Sequence, residues 1–246
     1  MKVMQTELNK LYTEYLKEIF SDRKLYEQIL NFEISSPLFL DCNAEFGKYA
    51  DSDFKVLYVG KETNYWYNQK ERTVSELLYD IQDTEKYING LTELYKKFNI
   101  GHNYKTSIFT FMDIIVNKLR VKNQKTGVLW TNLLRHDGFN GKVSREIEKK
   151  VSYHNNYILR KELEILKPDA IIFLTGPNYD YILENSFAGL KKIKINEKSE
   201  REICLLNHEN LPEKSMRIYH PGYHGRKGAD YRWELADKII ELIEMK

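Results

Sequence analysis

Two cysteines, Cys42 and Cys204, are all that the 246 residues contain. That is too few for a disulfide framework and too few for a four-cysteine iron–sulfur cluster, so a reducing compartment is expected. Long apolar runs are missing too. No stretch approaches the roughly 20 apolar residues of a membrane span, and the N-terminal MKVMQTELNKLY has no apolar core of the secretory type. A soluble, cytoplasmic protein with no membrane partner is the expectation. Excess charge of one sign is also lacking, since 38 Lys and Arg face 36 Asp and Glu for a formal net charge of +2. Any nucleic-acid binding must therefore come from a local basic stripe rather than from bulk charge. With no internal repeat, low-complexity tract or linker, residues 1–246 read as one domain, an ordinary length for a single α/β core.

What is present supports a packed core: 42% of the residues are hydrophobic and 30% charged, a balance that excludes wholesale disorder. Aromatics reach 13%, with 18 tyrosines. Tyrosine suits flat surfaces that stack and hydrogen-bond at once, but the same enrichment accompanies Lys, Ile and Asn in AT-rich coding sequences.

From Met4 to about Asn31 apolar residues recur at helical spacing (Leu8, Leu11, Tyr12, Tyr15, Leu16, Ile19), predicting one or two amphipathic helices. Ser36-Pro37 then opens a loop that runs to Asp53. Four short buried runs follow, each ending abruptly in polar or turn-forming residues: Phe54–Val59 closed by Gly60, Gly127–Asn132, Ala170–Leu174 closed by Thr175-Gly176-Pro177, and Met216–Tyr219 closed by His220-Pro221-Gly222. Helical patterns fill the gaps at residues 74–80, 91–98, 107–119, 151–166, 179–185 and 231–245, while 191–202 reads as a solvated loop or edge strand. Strands alternating with helices predict a mainly parallel sheet, whose ligands gather beyond the carboxyl ends of the strands. The ends at Gly60, Asn132, Gly176 and His220 are expected along one edge, with Glu62, Asn132 and His220 around a common cleft.

Several familiar motifs fail. Gly60-Lys61 lacks the upstream glycine of a phosphate loop, and Glu62 stands where a magnesium-binding Ser or Thr is needed. His220 and His224 are four apart, but Pro221 and Gly222 between them forbid a helix and no third ligand is evident, so no metal site is expected. No Gly-x-Ser-x-Gly elbow occurs.

In order along the chain, the strand ends are Gly60-Lys61-Glu62-Thr63-Asn64, Gly127-Val128-Leu129-Trp130-Thr131-Asn132, Thr175-Gly176-Pro177 and His220-Pro221-Gly222. This order resembles the uracil-DNA glycosylase superfamily. There the first strand ends in Gly-Gln-Asp-Pro-Tyr or Gly-Met-Asn-Pro-Gly, a later one resembles Gly-Val-Leu-Leu-Leu-Asn, and a final one ends in His-Pro-Ser. The resemblance covers about residues 34–246, with 1–33 as an N-terminal helical extension packed on the domain. It implies a three-layer α/β/α fold around a central, mainly parallel four-stranded sheet. It further implies a hydrolase of the DNA N-glycosylase type, acting on uracil or a related lesion base in DNA repair with no cofactor and no metal.

By position the resemblance puts Glu62 on the catalytic acidic or amide residue, Asn132 on the residue that reads the uracil edge, and His220 on the histidine that supports the leaving base. A base inside a duplex must rotate out before its glycosidic bond is reached, into a pocket that stacks one face and hydrogen-bonds the edge. Tyr65, Trp66 and Phe39 are candidates for the stacking wall. Tyr223, His224, Arg226 and Lys227 occupy the place of the family loop that enters the minor groove, an aromatic flanked by cations. The partner is then DNA, single-stranded or lesion-containing.

Three departures from the pattern stand beside these matches: Glu62 is a methylene longer than Asp, Thr63 replaces Pro, and Gly222 replaces Ser. Each position also has a structural reading. Glu62 also reads as capping a helix or pairing with Lys61, Asn132 as a turn residue bonded to backbone, His220 as a packed histidine, and the Tyr223–Gly228 segment as a basic surface turn. Two rivals to the glycosylase therefore remain: a nucleic-acid-binding protein of the same fold without turnover, and a hydrolase of free nucleosides or nucleotides.

Overall fold

The computed structural model describes residues 2–31, 33–43, 49–63, 81–97, 106–122, 125–138, 144–196, 198–226 and 229–245. Among these, the chain forms α1 (Lys2–Ser21), α2 (Arg23–Leu30), β1 (Phe54–Glu62), α3 (Thr84–Lys97), α4 (Ser107–Lys122) and β2 (Thr126–Leu134). It continues with α5 (Arg145–Leu166), β3 (Ala170–Phe173), α6 (Asp180–Ser186), β4 (Lys191–Lys194), β5 (Ile203–Asn207), β6 (Lys214–Ile218) and α7 (Ala229–Glu244). The helix expected over residues 74–80 lies outside the described residues. The protein is α/β, and no helix among the described residues is long and apolar enough to cross a membrane.

The chain divides into two compact units whose segments alternate: Met1–Cys42, Lys61–Lys97 and Thr131–Leu166 form one, and Asn43–Gly60, Phe98–Trp130 and Lys167–Lys246 the other. Strands β1 and β2 each contribute residues to both.

The second unit is built on the sheet, in the order β2-β1-β3-β6-β5-β4. Val56 to Val59 pair in parallel with Ala170 to Phe173, and Ala170 to Phe173 with Lys214 to Arg217. The C-terminal ends of β1, β3 and β6 thus reach the same edge, bringing Gly60, Gly176 and His220 there. Successive strand residues point to opposite faces, yet Val56 to Val59 and Ala170 to Phe173 are all fully buried, so both faces of these strands are covered. Among the described residues the expected count of four strands is corrected to six, in a mixed sheet. The four expected strands are the contiguous set β2-β1-β3-β6, and β5 and β4 extend it antiparallel. β4 falls in the segment read as loop or edge strand. β5 is only five residues long, and pairing of Ile203 with Ile218, Cys204 with Arg217 and Leu205 with Met216 holds it in place.

Two polar clamps set this sheet. Asp169 accepts from the Lys55 N–H at 2.7 Å and donates its own N–H to the Lys55 carbonyl at 2.8 Å, aligning the starts of β1 and β3. Arg217, buried in β6, forks onto Asp180 of α6 at 3.1 and 3.2 Å, and its remaining nitrogen donates to the carbonyls of Glu200 and Arg201. Helix α4 packs against α7 in the same unit.

The first unit is mainly helical. α1 packs against α5, α2 and α3, burying Leu8, Leu11, Tyr12, Tyr15, Leu16 and Ile19, the stripe read from the sequence. Asp22 ends α1 and caps α2 by accepting the Leu25 N–H at 3.1 Å, so the N-terminal pattern is two helices. Residues 34–42 have almost no regular structure but are buried throughout. Buried backbone must find partners, and it does: Ser35 N–H donates to the Asp137 carbonyl, Leu38 N–H to the Arg135 carbonyl, Leu40 N–H to the Tyr12 hydroxyl and Cys42 N–H to Gln5 Oε1.

Gly127, at the start of β2, marks a close approach. A Cβ there would lie 2.2 Å from Ser52 Oγ and 2.8 Å from the Tyr49 Cα, and the latter is backbone that cannot swing aside. Gly127→Ala is therefore expected to lose roughly 1–3 kcal/mol of stability through overpacking. Urea unfolding should show a lower midpoint at unchanged slope; an unchanged midpoint would mean that the approach is looser than the geometry gives.

Candidate functional site

In the first unit the site residues sit where β1 and β2 end. Thr63, Thr131 and Asn132 are 3%, 0% and 4% exposed. With its amide oriented to suit its neighbours, Asn132 accepts the Thr63 N–H on Oδ1 at 3.3 Å and donates from Nδ2 to the Thr131 carbonyl at 3.1 Å. One side chain thus braces the turn that follows Glu62 on β1. The half-buried Glu62 stands one residue before the braced peptide.

Three residues beyond Asn132 begins a polar network that the sequence reading did not find. Arg135 and Glu162 are both fully buried and form a two-pronged ion pair, Nη1 to Oε1 at 3.1 Å and Nη2 to Oε2. The Tyr12 hydroxyl donates to Glu162 Oε1 at 3.0 Å while accepting the Leu40 N–H. Burial pushes the Glu162 carboxyl above its ordinary pKa, and the guanidinium and the tyrosine hydroxyl pull it back. Spacing on α5 held the signal: Val151, Asn155, Ile158 and Glu162 recur at intervals of four, three and four, all on the buried face.

His136 lies within the same unit, fully buried. Its Nδ1 is 2.7 Å from the Ser35 carbonyl, which only accepts, so Nδ1 carries a proton. Burial, with help from Arg135 and His154, lowers its pKa to about 4, so the ring is neutral and Nε2 is an acceptor. The Tyr15 hydroxyl, 2.9 Å from Nε2 and 3.0 Å from Asn155 Oδ1, has one proton and gives it to the histidine. Turning the Asn155 amide by 180° lets its nitrogen, otherwise buried without a partner among the described residues, donate to that hydroxyl.

In the second unit, His220 follows β6, and its Nδ1 accepts the Gly222 N–H at 3.1 Å. A ring held so by a backbone donor has its proton on Nε2. Pro221 starts the short 3-10 turn Pro221–Arg226, in which Tyr223 N–H bonds the His220 carbonyl at 2.8 Å. A Cβ on residue 222 would sit 3.1 Å from His220 Nδ1, close enough that the ring would have to shift by a few tenths of an ångström. Beside it, Gly176 takes a left-handed φ of 66°, its N–H bonded to the Ile218 carbonyl at 2.8 Å. Tyr219 and Tyr223 stack at 5.3 Å with 11° between planes, and Tyr223 is 50% exposed.

Phe39 is 0% exposed and stacks on Tyr12 at 4.1 Å, with Tyr15 edge-on at 5.9 Å. Its ring belongs to the core, and a base reaches it only if the 34–42 segment moves. Tyr65, Trp66 and Lys227, and the side chains of His224 and Arg226, lie outside the described residues. Among the described residues no group of three or more His, Cys, Asp or Glu could hold a metal ion. Both cysteines are buried thiols whose pKa burial raises to about 11, unlike activated nucleophiles. No family model and no curated protein matches the chain.

The His136 arrangement has a pH signature. The unfolded chain takes up a proton on this residue as pH falls through about 6.5, whereas the folded ring resists until about 4, so its contribution is complete above pH 6.5 and lost as pH falls to 4. The difference is about 3 kcal/mol. Urea unfolding at pH 7, 5.5 and 4.5 should show a decline that is shallower in His136→Gln by about 2 kcal/mol, most of that difference. Equal declines in the two proteins would mean that the ring is not held neutral.

Proposed function

We propose that the chain is a DNA glycosylase of the uracil-DNA glycosylase type, a single three-layer α/β/α domain acting in cytoplasmic DNA repair. The observation that carries this reading is the placement of His220 at the C-terminal edge of parallel strands β3 and β6, with Nδ1 accepting the Gly222 N–H so that Nε2 is the ring's donor. Breaking the C1′–N bond sends the electron pair to the base and leaves positive charge on the sugar. A neutral N–H donor aimed at the base oxygen stabilises that developing anion without itself having to lose a charge.

Glu62 in this reading faces the cationic sugar and takes a proton from the water whose oxygen bonds to C1′, while Asn132 hydrogen-bonds the base edge. Tyr65 and Trp66 stack on the extruded base, and Tyr223 with His224, Arg226 and Lys227 meets the DNA backbone and the vacated stack. Water is the nucleophile and no cofactor takes part.

Single-turnover incubation with a labelled uracil-containing oligonucleotide should leave alkali-labile abasic sites, and His220→Ala should slow their formation roughly 10²–10³-fold. Binding without abasic sites would replace the enzyme by a binding protein of the same fold. Release from free nucleosides that excess DNA does not inhibit would favour the nucleoside hydrolase. Undiminished release by His220→Ala would remove the histidine from the chemistry.

A further inference from the structure

Tyr219 and Tyr223 bracket His220 along the chain, and both lie in the second unit. Tyr219 directly follows β6. Its N–H bonds the Glu202 carbonyl at 3.0 Å, and its ring lies beside Gly176, where a Cβ would meet Cδ1 at 3.6 Å. The sheet edge therefore holds this ring. The following turn holds the second one: Tyr223 N–H bonds the His220 carbonyl at 2.8 Å, and the Tyr223 ring stacks on Tyr219 at 5.3 Å with 11° between planes. Tyr223 is nevertheless 50% exposed. A tyrosine stacked on one side and half open to solvent is a flat, anchored surface.

That geometry decides between two ways of meeting DNA. A wedge that enters the gap left by an extruded base must project from the protein and offer both ring faces to the bases on either side of it. Tyr223 has one face committed to Tyr219, and full insertion would break that stack. A platform needs one face only, but the base laid on it must be able to leave its own stack. An unpaired base does so readily, whereas a base in a duplex must give up its pairing as well. Building on the glycosylase reading, we propose that the Tyr219–Tyr223 pair is a base-stacking platform that receives the nucleotide next to the extruded one, and that the chain therefore acts on single-stranded DNA. Every base has a flat π-face, so this surface selects strand state and leaves base identity to the pocket.

Affinities of the full chain for oligonucleotides test this. The target nucleotide is 2′-fluorodeoxyuridine, whose fluorine destabilises the sugar cation and so keeps the strand intact during the measurement. The parent should bind the single strand roughly tenfold or more tighter than the matched duplex. Tyr223→Leu retains an apolar wedge but has no flat ring, and it should weaken single-strand binding roughly tenfold, with Tyr219→Leu changing it in the same direction and Tyr223→Phe restoring most of the loss. Replacing the base on one side of the target by an abasic analogue closes a cycle. At the 5′ or the 3′ neighbour the parent should lose roughly tenfold, and Tyr223→Leu should lose little more.

A duplex bound as tightly as the single strand overturns the proposal. So does parent-like single-strand affinity in Tyr223→Leu, or an equal loss from the missing base in that variant and the parent at both neighbours. Tyr223 is half exposed, so its variants carry the test even if Tyr219→Leu does not fold. Uracil release by a parent whose Tyr223→Leu variant is unimpaired on single strands would keep the glycosylase and overturn the platform. Tyr223-dependent single-strand binding, with no base released from an unmodified uracil strand, would keep the stacking surface and refute the glycosylase.

Discussion

Within the first unit, the buried ion pair of Arg135 and Glu162 ties together four separate segments of the chain. Neither side chain has any exposed surface, so neither charge has water to fall back on, and breaking such a pair by removing one member typically costs about 3–5 kcal/mol. The constraint is geometric as well as energetic. Glu162 is on α5, Arg135 leaves β2, and Tyr12 on α1 donates to the same carboxylate while accepting the Leu40 N–H. The Arg135 carbonyl also accepts the Leu38 N–H. Two helices, one strand end and a buried irregular segment therefore have to be in register together for the pair to form. Asn132 is three residues upstream on the strand so fixed, and its hold on Thr63 inherits that register.

Much of the fold could be read in advance because continuous apolar runs are hard to place anywhere but inside. The runs at 54–59, 127–132, 170–174 and 216–219 correspond to β1, β2, β3 and β6, and the helical stripe of Leu8, Tyr12, Tyr15 and Ile19 faces the core as its spacing implies. β5 lies outside the four expected runs. Its Ile203-Cys204-Leu205-Leu206 is apolar but short and directly follows a Lys- and Glu-rich stretch, and it is held by a partner strand that begins seven residues after β5 ends. The Arg135–Glu162 pair escaped for a related reason. In isolation, Arg135-His136-Asp137 carries no apolar pattern, and Glu162, although its spacing puts it on the apolar face of α5, is a residue type that is usually solvated. Their burial depends on each other, and a sequence shows the partners without showing that they meet.

The two histidines make the same point about protonation. His136 and His220 are both set by whatever backbone group faces Nδ1, and the two settings are opposite. A carbonyl at Ser35 demands a proton on Nδ1 of His136, leaving Nε2 to accept from Tyr15. The Gly222 N–H forbids one on Nδ1 of His220, placing it on Nε2. The first arrangement consumes the ring in internal bonds and suits a structural role. The second makes Nε2 the ring's donor, the form that the proposed support of a departing anion requires. Residue type alone distinguishes neither.

Two of the three departures from the glycosylase pattern share a physical logic. Gly222 gives a backbone N–H to the ring of His220 and has no Cβ to press on it at 3.1 Å, and Thr63 supplies a backbone N–H to Asn132 where proline has none. In each case a main-chain donor aims a side chain. Such donors carry no rotamer entropy and are themselves held by the strand ends, so the aimed group is preorganised at little further cost. They are also insensitive to most substitutions, since only proline deletes an N–H. A motif compared by side-chain identity registers these positions as mismatches, although what each residue contributes is one backbone hydrogen. The comparison that bears on chemistry is therefore between hydrogen-bond donors rather than between letters, and at residues 63 and 222 the donors face the two side chains, Asn132 and His220, on which the glycosylase reading depends.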